Sequence, residues 1–410
     1  MASRTLSYPK NKINVLLLEN VHPLAKERFS KEGYNIETIN TALSEDQLIE
    51  KIQNISILGI RSKTQITDKI INSGKRLLAI GAFCIGTNQV DLVSSAKFGI
   101  PVFNAPYSNT RSVVELIVGE IIALSRKLFD KSSDMHKGTW NKSSSGCREI
   151  RGKKLGIIGY GNIGSQLSVL AENLGMQVYY YDIADKLSLG NAIPCKTMRE
   201  VLKISDIVTV HVSGRKENKN LIGKTEFALM KSSAFFLNAS RGFVVDIEAL
   251  ASAVKNKKIA GCAVDVYPVE PKGNGEGFVS ELQGLPNVIL TPHVGAGTEE
   301  AQRNIADYLS NKLIQFVNTG TTTLSVNMPE IQLSEVKKVH RLVHMHHNVP
   351  GVLAKINLLL AKHKINIEAQ YLKTNEYLGY VITDVDKIYS KEIVAELKGL
   401  EETIRVRTLY

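Results

Sequence analysis

The sequence predicts an α/β protein with a doubly wound parallel sheet and a smaller C-terminal domain of βαββαβ order. Three observations support this prediction. Short apolar runs alternate with helical patterns up to about residue 300, one of these runs ends in Gly-x-Gly-x-x-Gly, and a strand, helix, strand, strand, helix, strand pattern follows residue 338. Alternation of this kind predicts parallel strands that are joined by crossover helices.

Length and composition are typical of a globular protein with more than one domain. The chain has 410 residues, of which 43% are hydrophobic and 22% are charged, and a single core rarely serves so long a chain. No apolar run reaches the roughly 18 residues of a membrane helix, and the N-terminus lacks the apolar segment of a secretory signal. We therefore expect a cytoplasmic protein with no membrane partner.

The distribution of lysines and cysteines argues against a nucleic-acid-binding protein and against a metal site. The net charge of +11 suits nucleic-acid binding, but the lysines are spread along the chain without a basic block, so we expect no nucleic-acid partner. A basic balance equally suits an anionic substrate. The four cysteines, Cys84, Cys147, Cys195 and Cys262, have no paired spacing. This predicts reduced thiols and no metal site.

Residues 1–108 predict a small α/β domain. Strands are expected at residues 13–18, 34–39, 55–60, 77–81 and 100–103, with helices over 23–31 and from Ser44. The run Arg61-Ser62-Lys63-Thr64 directly follows the third strand. Because open α/β sheets bind ligands at the carboxyl ends of their strands, this cationic loop is a candidate anion site; a solvated loop is the alternative.

Two features precede the glycine motif. Residues 112–128 predict a long, mostly apolar helix that is buried between domains or subunits. Trp140, the only tryptophan, and Lys142 follow it. They suit either a rim of the substrate site or packing within a connection.

The glycine motif occupies residues 159–164, after an apolar run from Lys154. Gly159 would permit a tight turn, Gly161 a close approach of a pyrophosphate, and Gly164 close packing of helix on strand. Asp182 ends the next strand-like run, at about the distance expected for a carboxylate that binds the adenosine ribose. A carboxylate there repels a 2′-phosphate, so the sequence predicts NAD rather than NADP. A structural turn with an unrelated surface acid is the alternative.

Three polar residues follow the ends of later strands. Strands are expected at residues 206–211, 234–238, 261–266 and 288–291, and Arg241, Glu270 and His293 come soon after three of them. Carboxyl ends of neighbouring parallel strands meet in one crevice. There His293 could exchange a proton with an alcohol, Glu270 could orient the imidazole, and Arg241 could bind a carboxylate. Singly, each residue also suits an ordinary structural role.

At these motifs the sequence resembles the NAD-dependent D-2-hydroxyacid dehydrogenases, specifically a bacterial type with a regulatory C-terminal domain. The resemblance covers nearly the whole chain. It implies a flavodoxin-like substrate domain over residues 1–108, completed by 297–330, a Rossmann NAD-binding domain over 109–296 and an ACT domain over 338–410. It also implies that Arg241, Glu270 and His293 form the catalytic set.

The resemblance further implies ligand contacts. Those to NAD would come from Gly159, Gly161, Asn162, Ile163, Gly164, Asp182, Ala239, Ser240, Arg241, Asp265, His293, Val294, Gly295 and Ala296. Substrate phosphate or carboxylate would be bound by Arg61, Ser62, Lys63 and Lys142. Lys63, Ser213 and Ala296 depart from the residues that are usual in the family, which bears on fine affinity rather than on the reaction.

The C-terminal segment predicts a helix from Thr298 to about Val317 that Gly320 ends, then a polar connection over 320–337. The ACT pattern places strands at 338–346, 365–372, 377–383 and 403–409 and helices at 350–363 and 391–397. A domain this small has a marginal core, so we expect such domains to pair through their sheet edges.

The ACT resemblance implies an effector site. His346 and Asn348, with Asn366 from a paired domain, would bind L-serine; capping of the helix at residue 350 is the alternative. Several histidines lie in this segment, but no acid or cysteine completes a metal ligand set, so no metal is expected. Residues 336–338 lack the paired glycines of some relatives, which suggests altered transmission of the effector signal.

The resemblance thus implies a homotetrameric oxidoreductase that acts on a phosphorylated D-2-hydroxy acid and is inhibited by serine, with 2-oxoglutarate reduction as a side activity. One alternative is a relative with another hydroxy acid as its substrate. A second is a non-enzymatic, NAD-sensing scaffold of the corepressor kind.

Overall fold

The computed structural model describes residues 9–271, 275, 277–333, 340–386 and 391–409. The chain forms two compact units, Met1–Pro106 with Gln302–Tyr410 and Tyr107–Ala301. Elements are numbered in chain order. Within the described ranges, no helix combines the length and the apolar character that crossing a bilayer requires.

The first unit contains a five-stranded parallel sheet within the described residues. Its strands are β1 (Asn14–Leu17), β2 (Asn35–Thr38), β3 (Ile57–Ile60), β4 (Ala79–Ala82) and β5 (Val102–Asn104). The order β2-β1-β3-β4-β5 is that of flavodoxin-like sheets. Every residue of β3, β4 and β5 is buried, because helices cover both faces of a parallel sheet.

Two helices of this sheet, α1 (Pro23–Lys31) and α2 (Glu45–Ile52), start where the sequence predicts. The helices α3 (Asp68–Ser73) and α4 (Leu92–Lys97) were not predicted. At α2 the Gln47 N–H donates to Ser44 Oγ and the Ser44 N–H donates to Gln47 Oε1. This reciprocal capping satisfies two N–H groups that the helix itself leaves unpaired.

The same unit contains the C-terminal βαββαβ segment, whose predicted fold is confirmed. The strands are β13 (His340–His346), β14 (Ile367–Thr374), β15 (Gly379–Val385) and β16 (Thr403–Leu409), and the helices are α12 (Val352–Lys362) and α13 (Lys391–Lys398). The strands form an antiparallel sheet of order β14-β15-β13-β16. The predicted strand start at residue 338 and the tripeptide 336–338 lie outside the described residues.

The two faces of this small sheet bury different cores. Leu342 and Val381 pack with residues of α12 and α13. Val343 and Tyr380, on the opposite face, belong to the core that includes Phe316 of α11 (Glu299–Thr319). This second interface supports a domain whose own core is marginal. It was not predicted, because alternation of apolar residues gives the two faces but not their partners.

The connection after α11 differs from the expectation of a polar linker. Gly320 adopts φ +76° and ends the helix as predicted, but Thr321, Thr322 and Ile331 are buried. The hydroxyl of Thr322 donates to Pro329 O and accepts from the Ile331 N–H. The threonine hydroxyls therefore form hydrogen bonds with main-chain groups of a buried connection instead of facing solvent.

The second unit contains a parallel sheet that has seven strands in the described part of the chain. They are β6 (Lys154–Ile158), β7 (Gln177–Tyr181), β8 (Ile193–Pro194), β9 (Ile207–Val210), β10 (Phe235–Asn238), β11 (Gly261–Val264) and β12 (Val288–Leu290). The order β12-β11-β10-β9-β6-β7-β8 confirms the doubly wound prediction. The strand order reverses between β6 and β9, which is where such sheets bind ligands.

One helix of the second unit ends earlier than the sequence predicts. The helices of this unit are α5 (Thr110–Arg126), α6 (Leu128–His136), α7 (Asn162–Asn173), α8 (Met198–Ile204), α9 (Lys224–Leu229) and α10 (Ile247–Lys255). The predicted helix 112–128 stops at Arg126, because Lys127 adopts a left-handed conformation with φ +54°. A separate helix, α6, then begins, since left-handed backbone cannot continue a right-handed helix.

Candidate active site

The three glycines of the turn after β6 have different surroundings. A Cβ on Gly159, whose φ is +93°, would lie 2.7 Å from the carbonyl carbon and oxygen of His211. A Cβ on Gly164 would lie 2.4 Å from Gly159 O. At Gly161 a Cβ would meet none of the described atoms within 4 Å. The turn is thus closed on the sheet side and open at Gly161, the N-cap of α7, and the N-terminus of a helix favours an anion such as a pyrophosphate.

Asp182 lies next to this turn, directly after β7. The Tyr160 N–H donates to its Oδ2 at 2.8 Å, and the Ala184 N–H donates to Oδ1 at 2.9 Å. A carboxylate has further lone pairs, so both oxygens can still accept from ribose hydroxyls. Asp182 therefore positions the glycine turn and also places a negative charge beside it.

His293 and Glu270 form the hydrogen bond that the sequence predicts for a base and its orienting acid. His293 Nδ1 lies 2.8 Å from Glu270 Oε2, and the Tyr267 N–H donates to Glu270 Oε1 at 3.1 Å. With Nδ1 bound to the carboxylate, Nε2 faces away from Glu270. Because the His293 side chain is 45% exposed, a substrate hydroxyl can reach it.

The pair also sets the electrostatics of the site. The hydrogen bond that His293 donates to Glu270 raises the pKa of His293; burial and the charge of Arg241 oppose this rise without overcoming it. Burial by itself would raise the pKa of Glu270, but the His293 hydrogen bond and charge outweigh it, so that pKa is lowered. Glu270 therefore stays ionised and stabilises the protonated imidazole.

Asp265 holds the turn that carries His293. Its Oδ1 accepts from Thr291 Oγ1 at 2.6 Å and from the Val294 N–H at 2.8 Å, and its Oδ2 accepts from the Gly295 N–H at 2.8 Å. His293 itself adopts φ +54°. A histidine in this conformation carries strain of about 1–3 kcal/mol, which the surrounding bonds must offset. The predicted contact of Asp265 with NAD stays a prediction, since the carboxylate already serves this turn.

Arg241 reaches the same site through a close contact between main-chain segments. The Asn238 side chain donates to Arg241 O at 3.1 Å and so shapes the loop after β10. A Cβ on Gly242 would lie 1.9 Å from the carbonyl carbon of Tyr267. Only glycine therefore lets the Arg241 loop lie against the segment that leads to Glu270. The charge of Arg241 acts on both Glu270 and His293, so the three predicted catalytic residues come together.

The remaining predicted substrate residues lie elsewhere in the chain. Arg61, Ser62 and Lys63 follow β3 in the first unit. Lys142 lies in an exposed stretch after α6 in the second unit. Trp140 is 75% exposed, so the packing interpretation of this residue is wrong within one chain. A role of Trp140 and Lys142 at the substrate site stays a prediction.

The predicted effector residues lie at both ends of the small sheet. His346 is buried, its Nδ1–H donates to His347 O at 2.7 Å, and its Nε2 has no hydrogen-bond partner among the described residues. Asn348 donates to Asn375 O. His346 pairs with Gly379, whereas Ile367, next to Asn366, pairs with Val385. These ends lie about 20 Å apart along the strand, so Asn366 can join His346 only from a second copy.

Sequence reasoning missed one buried acid, whose charge interacts with that of Asp265. Glu120 of α5 is buried, and its Oε1 has no hydrogen-bond partner in the described part of the chain. Burial, and then the charge of Asp265, raise the pKa of Glu120 to about 8. Its place in a mostly apolar helix could have indicated a buried acid. Among the described residues, no group of histidines, cysteines and acids could hold a metal ion.

Two known protein families match this chain, one over the seven-stranded sheet and one over the C-terminal antiparallel sheet. The family "D-isomer specific 2-hydroxyacid dehydrogenase, NAD binding domain" matches residues 118–295. The family "AHAS small subunit-like ACT domain" matches residues 342–405.

Curated relatives match over the full length. A D-3-phosphoglycerate dehydrogenase of Dictyostelium discoideum is 52% identical over 99% of both chains. A D-3-phosphoglycerate dehydrogenase of Escherichia coli K12 is 48% identical, also over 99% of both chains. Among solved structures, a D-lactate dehydrogenase of Aquifex aeolicus complexed with NAD and lactic acid is 25% identical. It covers 77% of this chain and 100% of its own, with a TM-score of 0.67.

Proposed function

Because this chain belongs to the D-isomer specific 2-hydroxyacid dehydrogenases, we propose that it is a D-3-phosphoglycerate dehydrogenase that oxidises 3-phospho-D-glycerate to 3-phosphooxypyruvate with NAD. Relatives of that name match it over 99% of their length. The observation that carries the mechanism is the 2.8 Å hydrogen bond between His293 and Glu270 next to Arg241. The product would enter serine synthesis.

The proposed proton transfer takes place at His293. In oxidation, Nε2 removes the proton from the substrate hydroxyl as the carbonyl forms, and in reduction it returns that proton. Glu270 stabilises the imidazolium that forms. Bound NAD would supply the acceptor for the hydride of the carbon that carries this hydroxyl. The alcohol thus loses one hydride and one proton, and His293 releases its proton to solvent afterwards.

The chain's own residues would hold the cofactor and the substrate. The open space at Gly161 and the N-terminus of α7 fit the pyrophosphate, and Asp182 fits the adenosine ribose. Arg241 would bind the substrate carboxylate through its planar guanidinium. We propose that Arg61, Ser62, Lys63 and Lys142 bind anionic groups of the substrate.

Regulation by L-serine is part of the proposal. The buried, unpartnered Nε2 of His346 and the adjoining N-terminus of α12 suit the hydroxyl and carboxylate of an amino acid. Asn366 would come from a second copy, so the effector site requires an oligomer. Exposed Phe129, Met135 and Trp140, at 60%, 52% and 75%, favour a further interface between copies. We therefore propose a homotetramer in the cytoplasm, with 2-oxoglutarate reduction as a side activity.

A substrate panel tests this function. The purified protein is mixed with NAD and either 3-phospho-D-glycerate, D-glycerate or D-lactate, and NADH absorbance is followed with and without L-serine. We expect turnover to be fastest with the phosphorylated substrate and to fall on addition of serine. Faster turnover of D-lactate would identify a dehydrogenase with a different substrate. Absence of any turnover would favour an NAD-sensing scaffold.

A further inference from the structure

Glu19 binds the main chain of the candidate anion loop that follows β3. The Lys63 N–H donates to its Oε2 at 2.9 Å, and the Thr64 N–H donates to its Oε1 at 2.9 Å. Glu19 lies two residues after β1, which pairs in parallel with β3, so both segments leave the sheet at the same edge. One buried carboxylate thus bridges two consecutive amide groups of the loop.

Gln89 holds the same loop at its other end. Its side-chain amide donates to Arg61 O at 2.6 Å and also to Gly86 O at 3.2 Å. Gln89 is 3% exposed, so solvent does not compete for these bonds. The carbonyl of Arg61 and the N–H groups of Lys63 and Thr64 are therefore all engaged by buried side chains.

The backbone at Glu19 adopts an unfavourable conformation to make these bonds. Glu19 has φ +61° and the next residue, Asn20, has φ +54°. Consecutive left-handed residues other than glycine are costly, and such strain collects at functional sites. A carboxylate near an anion site also repels the anion. Both costs indicate that the geometry of the loop, rather than its charge, is what Glu19 contributes.

We propose that Glu19 is a positioning residue for the substrate, and that Gln89 assists it. By engaging the loop main chain, Glu19 leaves the side chains of Arg61 and Lys63 as the groups that receive an anionic part of the substrate. The inference rests on the proposed function, because it takes the Arg61–Lys63 loop as a substrate-binding element. It adds that the anion is bound by cationic side chains instead of by the amides at residues 63 and 64.

Glu19→Gln removes the negative charge of Glu19 and also disturbs the geometry of the loop. A glutamine offers one oxygen to two N–H groups and turns an NH₂ group toward the other, so one bond is lost and two donors face each other. Loss of a hydrogen bond to a charged group corresponds to a factor of about 10 or more, and the loop must make up this loss each time it adopts the geometry that binds substrate. We expect the KM for 3-phospho-D-glycerate to rise by about that factor. We expect kcat to stay within about 3-fold and the KM for NAD to stay unchanged, because proton transfer occurs at other residues.

Glu226→Gln is the matched control. Glu226 also accepts from a main-chain N–H, that of Gly223 at 3.0 Å, but at the N-terminus of α9 in the second unit. It should leave both KM values unchanged. Thermal unfolding of each variant identifies loss of fold, and a purely structural role of Glu19 would lower Tm without a selective change in the KM for the substrate.

Gln89→Leu provides a second variant that does not touch Glu19. It removes the donor to Arg61 O and should raise the KM for the substrate while the KM for NAD stays constant. Unchanged substrate KM in Glu19→Gln and Gln89→Leu would overturn the inference, as would an equal rise in Glu226→Gln. If Glu19→Gln does not fold, Gln89→Leu decides alone. Failure of the wild-type protein to oxidise 3-phospho-D-glycerate would instead refute the proposed function.

Discussion

Replacing Glu270 by Gln removes the charge that faces His293 while keeping a side chain of nearly the same shape. In the wild-type protein the hydrogen bond that His293 donates to Glu270 raises the pKa of His293, against burial and the charge of Arg241. In Glu270→Gln burial and the charge of Arg241 keep their full strength, and burial exceeds the remaining opposing charge of Asp265. We therefore expect that pKa to fall below its ordinary value of about 6.5. The imidazolium that forms during oxidation also loses its neighbouring charge.

The magnitude follows from the 2.8 Å contact. A hydrogen bond to a charged group contributes about 1.5–3 kcal/mol, which corresponds to a fall in kcat of about 10-fold to 100-fold. Because the base must be neutral to accept a proton, oxidation rises with pH through the pKa of His293. The midpoint of this rise should therefore lie above about pH 6.5 in the wild type and below it in Glu270→Gln.

The assay is kcat/KM for NAD-dependent oxidation between about pH 5 and pH 9, with NADH binding measured in parallel. Glu396→Gln is the control, because Glu396 pairs with His363 Nε2 at 3.0 Å in the C-terminal domain. It should change neither the rate nor the midpoint. An unchanged midpoint in Glu270→Gln, or a rate within about 2-fold of the wild type, would refute the assigned role of Glu270.

Three further predictions concern the cofactor, the effector and stability. Asp182→Ala should raise the KM for NAD about 10-fold but that for NADP less, and an unchanged preference between them would contradict the ribose assignment. His346→Ala should relieve inhibition by L-serine without lowering the uninhibited rate; full sensitivity would place the effector elsewhere. Because burial raises the pKa of Glu120 to about 8, its contribution to stability is complete below the ordinary pKa and is lost as pH rises to about 8. Glu120→Gln, which cannot ionise, should therefore lose less Tm over that range than the wild type, and equal losses would contradict the raised pKa.

Local sequence patterns predicted much of the nucleotide-binding unit. A Cβ at Gly159 or Gly164 would lie 2.7 Å or less from main-chain atoms, which explains why glycine stands there. Their spacing predicted the turn only together with the strand before it and Asp182 after the next strand. The meeting of Arg241, Glu270 and His293 followed from parallel strands that end at one edge. Their distances did not follow, because they depend on the close approach at Gly242.

The features that sequence reasoning missed arise from contacts between distant segments. Lys127 ends α5 in a left-handed conformation that glycine usually adopts. Glu19 is an ordinary acid in the sequence, and only the parallel pairing of β1 with β3 brings it to the anion loop. The Arg341–Asp384 ion pair is equally hidden. Its two bonds of 2.7 and 2.8 Å join β13 to β15, and Arg341 also donates to Thr319 O at the end of α11.

The central claim is that His293 carries the proton between substrate and solvent. Rapid mixing of the enzyme with 3-phospho-D-glycerate and NAD, followed by NADH absorbance in a single turnover, tests it most directly when the wild type is compared with His293→Ala. We expect His293→Ala to bind NADH as the wild type does but to form NADH at least about 1,000-fold more slowly. NADH formation at the wild-type rate by His293→Ala would contradict it.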